Sequence, residues 1–283
     1  MAAQPKPTLT QRLVAEAVGT LLLVFIGAGT GTAVGILNQL VTAENNGVKA
    51  IADAPNMGNL LIIALAHGLA LLIAVYTIGK ISGAHVNPAV TIGLLAVRKI
   101  SLMDAALYIV AQLFGAFLGA LAIVAVFGHT QAIPAGLGAT TYANTTPAIR
   151  AVAAEAGGAF ILVFAIMGTV VDKRVPEGWA GLVIGFALAA AIMVCGTVSG
   201  ASVNPARTFG PDLVLTFFKG ANYWGQYLVY VIGPVVGGLV AALFYNFLAR
   251  PDDVVIKTER PATPAKTSGQ VGAKVPAKTG SKR

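Results

Sequence analysis

Two segments, Ser82-Gly83-Ala84-His85-Val86-Asn87-Pro88-Ala89-Val90-Thr91-Ile92-Gly93 and Ser199-Gly200-Ala201-Ser202-Val203-Asn204-Pro205-Ala206-Arg207-Thr208-Phe209-Gly210, agree at nine of twelve positions. Asn is a strong helix N-cap and Pro is favoured at the first helical position, so Asn87-Pro88 and Asn204-Pro205 each read as a helix start. The apolar stretches behind them, Ala89 to Val97 and Ala206 to Phe218, are far shorter than the ~20 residues needed to cross a bilayer.

The chain around these copies is a membrane chain. Of its 283 residues 56% are hydrophobic and 11% charged, against about 25% charged in a soluble domain. Six longer apolar stretches, near 12–36, 59–79, 105–127, 149–171, 178–198 and 225–249, are each fit to span. The first exceeds a signal-peptide core and is expected to be retained.

A repeat organises these spans. Glu16 within Leu13–Gly19 is echoed by Glu155 within Val152–Gly158, and Leu23-Val24-Phe25 recurs as Leu162-Val163-Phe164. Gly115 and Gly119 are matched here with Gly233 and Gly237. Two halves of three helices, about 12–127 and 149–249, therefore each carry one Asn-Pro-Ala segment. Three crossings per half invert the second half relative to the first, which places the functional centre near the midplane. The expectation is an all-α membrane protein: six transmembrane helices plus two re-entrant half-helices in two inverted repeats.

With both termini cytoplasmic, inner segments hold fifteen of the nineteen basic residues, as the positive-inside rule requires. Residues 1–249 form the channel-like domain of this reading. Residues 1–11 read as polar and loose, 37–58 and 128–148 as outer loops with His129 left in loop, and 250–283 as a disordered basic cytoplasmic tail. The net charge of +8 is explained by this topology, not by a nucleic-acid partner.

Half-helices entering from opposite faces would meet at their N-terminal ends, each near +0.5 elementary charge. Irregular backbone at that depth is tolerated where it lines a watery path or is buried in protein. Gly83, Ala84 and His85, with Gly200, Ala201 and Ser202, are placed to offer carbonyls along such a path. The Asn87 and Asn204 amides would donate to a passing molecule. An enzyme reading lacks parts: three His, the lone Cys195, no phosphate loop and no metal-ligand spacing. No cofactor or metal is expected. A secondary transporter shares the inverted-repeat plan but needs a coupling residue, for which Glu16 and Glu155 are the deep candidates. A sealed structural bundle would need only small-residue spacings such as Gly27/Gly31 and Gly181/Gly185.

The two Asn-Pro-Ala segments (Asn87, Pro88, Ala89; Asn204, Pro205, Ala206), Arg207, Glu16, Glu155 and Gly233-Pro234 give residues 1–249 a specific resemblance to aquaporins of the major intrinsic protein family. That resemblance implies a passive channel for water in the cell membrane, multi-pass and homotetrameric, excluding protons and ions. Exclusion by converging helix dipoles is a known aquaporin argument and is taken over as such. It also implies an outer constriction of four residues, carried by motif spacing onto His67, Ile192, Ala201 and Arg207, and a structural role for Glu16 and Glu155 in holding the motif loops. The His/Ile/Ala/Arg set contains no aromatic ring and resembles that of tonoplast-type aquaporins, several of which also pass ammonia, urea or hydrogen peroxide. The alternative is a glycerol facilitator. Those carry Asp after the Arg and a basic residue four further on, where this chain has Thr208 and Asp212; Tyr230-Val231 half-matches the aromatic pair of orthodox channels.

Overall fold

The structure is a computed structural model that describes residues 6–44, 57–172, 174–176 and 178–249. The expected tail at 250–283 and much of the first outer loop lie outside the described residues. The first helix, α1 (Leu9–Glu44), begins earlier than expected. The amide of Thr8 donates to Gln11 Oε1 at 2.7 Å and that of Gln11 to Thr8 Oγ1 at 3.3 Å, a reciprocal cap that satisfies two orphan donors of the first turn. The stretch read as loose up to residue 11 is therefore helical from Leu9.

Next come α2 (Met57–Ser82), the short α3 (Pro88–Ala96), α4 (Leu102–Phe127) and a single turn α5 (His129–Ala132). The second half holds α6 (Ala148–Ile166), prolonged by a π-turn at Met167–Val171, then α7 (Ala180–Ser199), the short α8 (Pro205–Phe217) and α9 (Tyr227–Leu248). The six long helices are each apolar and long enough to cross a bilayer, whereas α3 and α8, with 9 and 13 residues, are not. Val110, Phe114, Phe186, Val194, Leu228 and Phe247 face outward on the long helices, as lipid contact requires. The second outer loop is more ordered than expected: besides α5 it holds a 3-10 turn at Gly136–Gly138, with Leu137 fully buried.

Lipid tails are as apolar as the side chains, so helix association here depends on close backbone approach at small residues. A Cβ on Gly115 of α4 would stand 2.1 Å from the Ala17 carbonyl oxygen of α1, and one on Gly237 of α9 would stand 2.0 Å from that of Ala156 on α6. Between the halves, α2 and α7 cross where a Cβ on Gly68 or on Gly185 would meet the other's carbonyl oxygen at 2.6 Å. These contacts are related by a pseudo-two-fold. They correct the register inferred from sequence: Gly115 pairs with Gly237, one turn beyond the expected Gly233. The cause is that α8 is longer than α3, which displaces the following helix along the numbering.

Each half-helix packs against the last helix of the opposite half, α3 on α9 and α8 on α4. A Cβ on Gly93 would meet the Gly238 carbonyl oxygen at 3.0 Å, and one on Gly210 that of Ala116 at 2.3 Å. Each short helix is thus enclosed by protein, which is what lets broken backbone persist at membrane depth. At the end of α6, Arg174 pairs with Asp172 at 2.5 Å, and Tyr245 Oη donates to the same carboxylate at 2.9 Å. The guanidinium holds the Asp172 carboxyl well below the usual carboxylate range.

Candidate functional site

The backbone entering each half-helix follows the same unusual path. Gly83, Ala84 and Val86 have φ of 96°, 50° and 43°, and Gly200, Ala201 and Val203 have 78°, 45° and 58°. Left-handed φ at a β-branched Val is an outlier costing about 1–3 kcal/mol, so both loops need an external clamp. Glu16 supplies the first. Its carboxylate accepts from Ser82 Oγ (2.7 Å), His85 N (3.0 Å), Val86 N (2.7 Å) and Gln112 Nε2 (2.8 Å). Glu155 supplies the second, accepting from Ser199 Oγ (2.7 Å), Ser202 N (2.9 Å) and Val203 N (2.6 Å). Both acids are fully buried. With the amides turned toward the Glu side chains, the carbonyls of 83–85 and 200–202 accept no hydrogen bond from the protein among the described residues.

Each Asn has two jobs. Asn87 Oδ1 caps α3 by accepting from Ala89 N at 2.8 Å, while its Nδ2 donates to the Val203 carbonyl at 2.9 Å. Asn204 Oδ1 accepts from Ala206 N and Arg207 N at 3.0 and 3.2 Å, while its Nδ2 donates to the Val86 carbonyl at 2.9 Å. The two helix starts are thereby stitched tip to tip. Each amide nitrogen carries two hydrogens and spends one on the stitch, and both Asn border an internal cavity.

That cavity, about 180 Å³, runs from His67 and Arg207 past Asn87 and Asn204 to Lys99, Val170 and Val171. Gly83, Ala84, His85 and Ser202 border it on one side; Leu71, Val75, Leu162 and Leu188 make an apolar wall. A second chamber, about 350 Å³, is lined by Ile192, Gly200, Thr140, Thr141, Tyr223 and again Arg207, among others. Arg207 borders both chambers. Arg207 Nε donates to His67 Nε2 at 3.1 Å, and His67 Nδ1 lies 2.8 Å from the Ile63 carbonyl. The carbonyl requires the proton on Nδ1, which leaves Nε2 as acceptor for Arg207 and the imidazole neutral. Arg207 Nη1 is buried without a protein partner. Phe and Trp are absent from both linings, and Tyr223 is the single phenol.

The residues expected at the constriction are thus partly gathered. His67 and Arg207 touch, and Ile192 shares the second chamber with Arg207. Ala201 is buried in the apolar cluster that holds Ile192 and is not among the residues lining either chamber. Several supporting residues escaped sequence reasoning. Tyr108 Oη donates to the Ser82 carbonyl at 2.8 Å and Tyr230 Oη to that of Ser199 at 2.7 Å, a matched pair. Gln112 bridges Glu16 and Thr91; a lone amide in an apolar helix was a legible signal of such a role. The outer loop is tied down where Thr140 Oγ1 meets Thr208 Oγ1 at 2.8 Å, and Thr208 in turn meets Ser202 Oγ at 2.5 Å.

Against this geometry, the model of the family described as Major intrinsic protein matches residues 4–245. The chain is 43% identical over 241 residues to Aquaporin AqpM of Methanothermobacter marburgensis, spanning 85% of this chain and 98% of that protein. It is 38% identical to Aquaporin TIP4-4 of Zea mays over 83% of this chain and 85% of that one. Among solved structures, the aquaglyceroporin from Plasmodium falciparum superposes with a TM-score of 0.69 at 24% identity, covering 84% of this chain and 96% of that chain. This last likeness bears on fold alone.

Proposed function

Since this chain belongs to the major intrinsic protein family of membrane channels, we propose that it is a passive pore for water and small neutral solutes such as ammonia, urea or hydrogen peroxide, closed to ions and protons. One observation carries the reading: two helix starts cross-linked by their Asn amides border a continuous cavity that ends at a buried, carboxylate-free arginine.

A solute in the inner chamber meets acceptors on one wall and hydrocarbon on the other. The free carbonyls of 83–85 and of Ser202 replace part of its hydration shell, and the second amide hydrogen of Asn87 and of Asn204 donates to its oxygen. A water oxygen that accepts from both amides is held with its own hydrogens pointing away, which interrupts a proton wire. The N-terminal ends of α3 and α8 add a positive field at the same point. At the outer end His67, Ile192 and Arg207 form the selectivity constriction, with Ala201 the fourth position that the family resemblance assigns to it. Arg207 repels cations and donates through its free Nη1, while neutral His67 accepts. Without an aromatic ring this constriction does not cup a polyol's CH face, which favours water and smaller solutes over glycerol.

The two Asn-Pro-Ala motifs are the pore centre, and Glu16 and Glu155 serve as loop clamps, spent on backbone donors and not free for proton coupling. The pattern of basic residues supports both termini on the cytoplasmic side of the cell membrane, with 250–283 as a basic tail. A homotetramer is the expected assembly. The test is stopped-flow swelling of proteoliposomes with a solute panel. Linear, uncoupled flux with low activation enthalpy is expected; saturation with solute or dependence on a proton gradient would make the protein a transporter, and no swelling above lipid background a sealed bundle.

A further inference from the structure

Asp212 lies on α8, is 2% exposed, and has both carboxylate oxygens buried without a hydrogen-bond donor among the described residues. The donors around it are committed elsewhere. Tyr227 Oη donates to the Pro205 carbonyl, Tyr230 Oη to that of Ser199, and Thr216 Oγ1 to the Asp212 backbone carbonyl. The repeat does not require an acid here, since the matching position of α3 is Leu95. The charged group that acts on Asp212 is Arg207, five positions earlier on the same helix and about 7.5 Å away in rise. Arg207 is the complementary orphan: its Nη1 is buried and unpartnered, and no ion pair joins the two among the described residues. A buried carboxyl with no donor and a buried guanidinium with one nitrogen unpartnered are each costly alone, and opposite charge nearby offsets part of that cost.

We infer that Asp212 is the counter-charge of Arg207, acting on it through the low-dielectric protein around α8, and that this pair sets the net field at the constriction. The inference deepens the pore reading above and rests on Arg207 lining the path. Asp212 is then a field-setting residue that touches no solute. It offsets part of the arginine's positive potential while leaving its Nε on His67.

The test uses the full chain in proteoliposomes and reads potassium flux relative to each variant's own water flux. Arg207→Val leaves the Asp212 carboxyl beside the constriction without its counter-charge and is expected to leak potassium at alkaline pH, where that carboxyl ionises; adding Asp212→Asn should cut the leak there on the order of tenfold. A double variant that leaks as much as Arg207→Val overturns the inference. Asp212→Ala in both backgrounds provides the same comparison should the Asn variant fail to fold. A merely structural Asp212 would lower thermal stability equally in both backgrounds and leave the flux ratio alone. Failure is also assignable. A conducting protein whose Arg207→Val leak ignores Asp212 sinks this inference only. A wild-type protein that passes no water sinks the pore reading and this inference together, and an Arg207→Val variant without leak removes Arg207 from the path and this inference with it.

Discussion

The loop clamped by Glu16 and the loop clamped by Glu155 have nearly the same backbone and quite different walls. Both start from a Ser carbonyl held by a Tyr hydroxyl, both run through left-handed residues at matched positions, and both lend an Asn amide to the other. They diverge only where side chains leave that frame. His85 faces Thr91 in one, Ser202 faces Thr208 in the other; Val90 stands where the second loop has Arg207, and Gln112 adds a fourth donor to Glu16 alone. The shared residues build a support that either half could provide. The unshared ones place a buried charge beside the helix starts on the second half only, since Arg207 follows its Asn-Pro-Ala directly whereas Val90 follows the first. Fold follows the symmetry and selectivity follows its breaking.

The strongest way to break the comparison is at the helix crossings. Gly115→Val and Gly237→Val each push a side chain into a carbonyl oxygen 2.0–2.1 Å from the first carbon. Both should cost about 3 kcal/mol or more and give no monodisperse protein in size-exclusion chromatography. A tolerated variant on one side would show that the two crossings are not equivalent. The clamps come next. Glu16→Ala strands four donors and Glu155→Ala three, a loss on the order of 3 kcal/mol with the Glu16 variant the worse. Thermal melting in detergent measures the order, and equal losses would mean Gln112 adds nothing.

Arg207→Val should keep the fold but lower its stability by about 1–3 kcal/mol, since the bond to His67 is lost and the buried Asp212 carboxyl loses its counter-charge. It should raise cation leak clearly above wild type, and an unchanged leak would show that the asymmetry of the halves is not electrostatic. The smallest effect sharpens the solute reading. His67→Trp should narrow the gap beside Arg207 and reduce urea or ammonia flux a few-fold more than water flux. Equal loss of both would take His67 out of the constriction.

Much of this was readable in advance because lipid makes few solutions possible. Six apolar stretches have to be helices, and two stretches too short to span have to be re-entrant. The tandem Asn-Pro gave the starts of both half-helices to within a residue. The helix pairing across the repeat was misread by one turn, because the register of one helix against another depends on how long a neighbouring element runs, which no local pattern encodes. The loop at 128–148 has no local pattern that announces its order, for a similar reason: that order comes from the long-range bond of Thr140 to Thr208 and from Leu137 packed out of solvent.

The chain's composition and its duplicated motif by themselves determined the membrane class, the number of spans, the inversion and the meeting of two capped helix ends, all of which follow from hydropathy, length and capping chemistry. Only the folded molecule decided that Val86 and Val203 adopt left-handed backbone, that each Asn binds the opposite loop, and that Arg207 leans on His67 while Asp212 is left without a donor. Those features join residues more than a hundred positions apart or depend on burial by several helices at once, so their energies exist only when the whole bundle has closed around them.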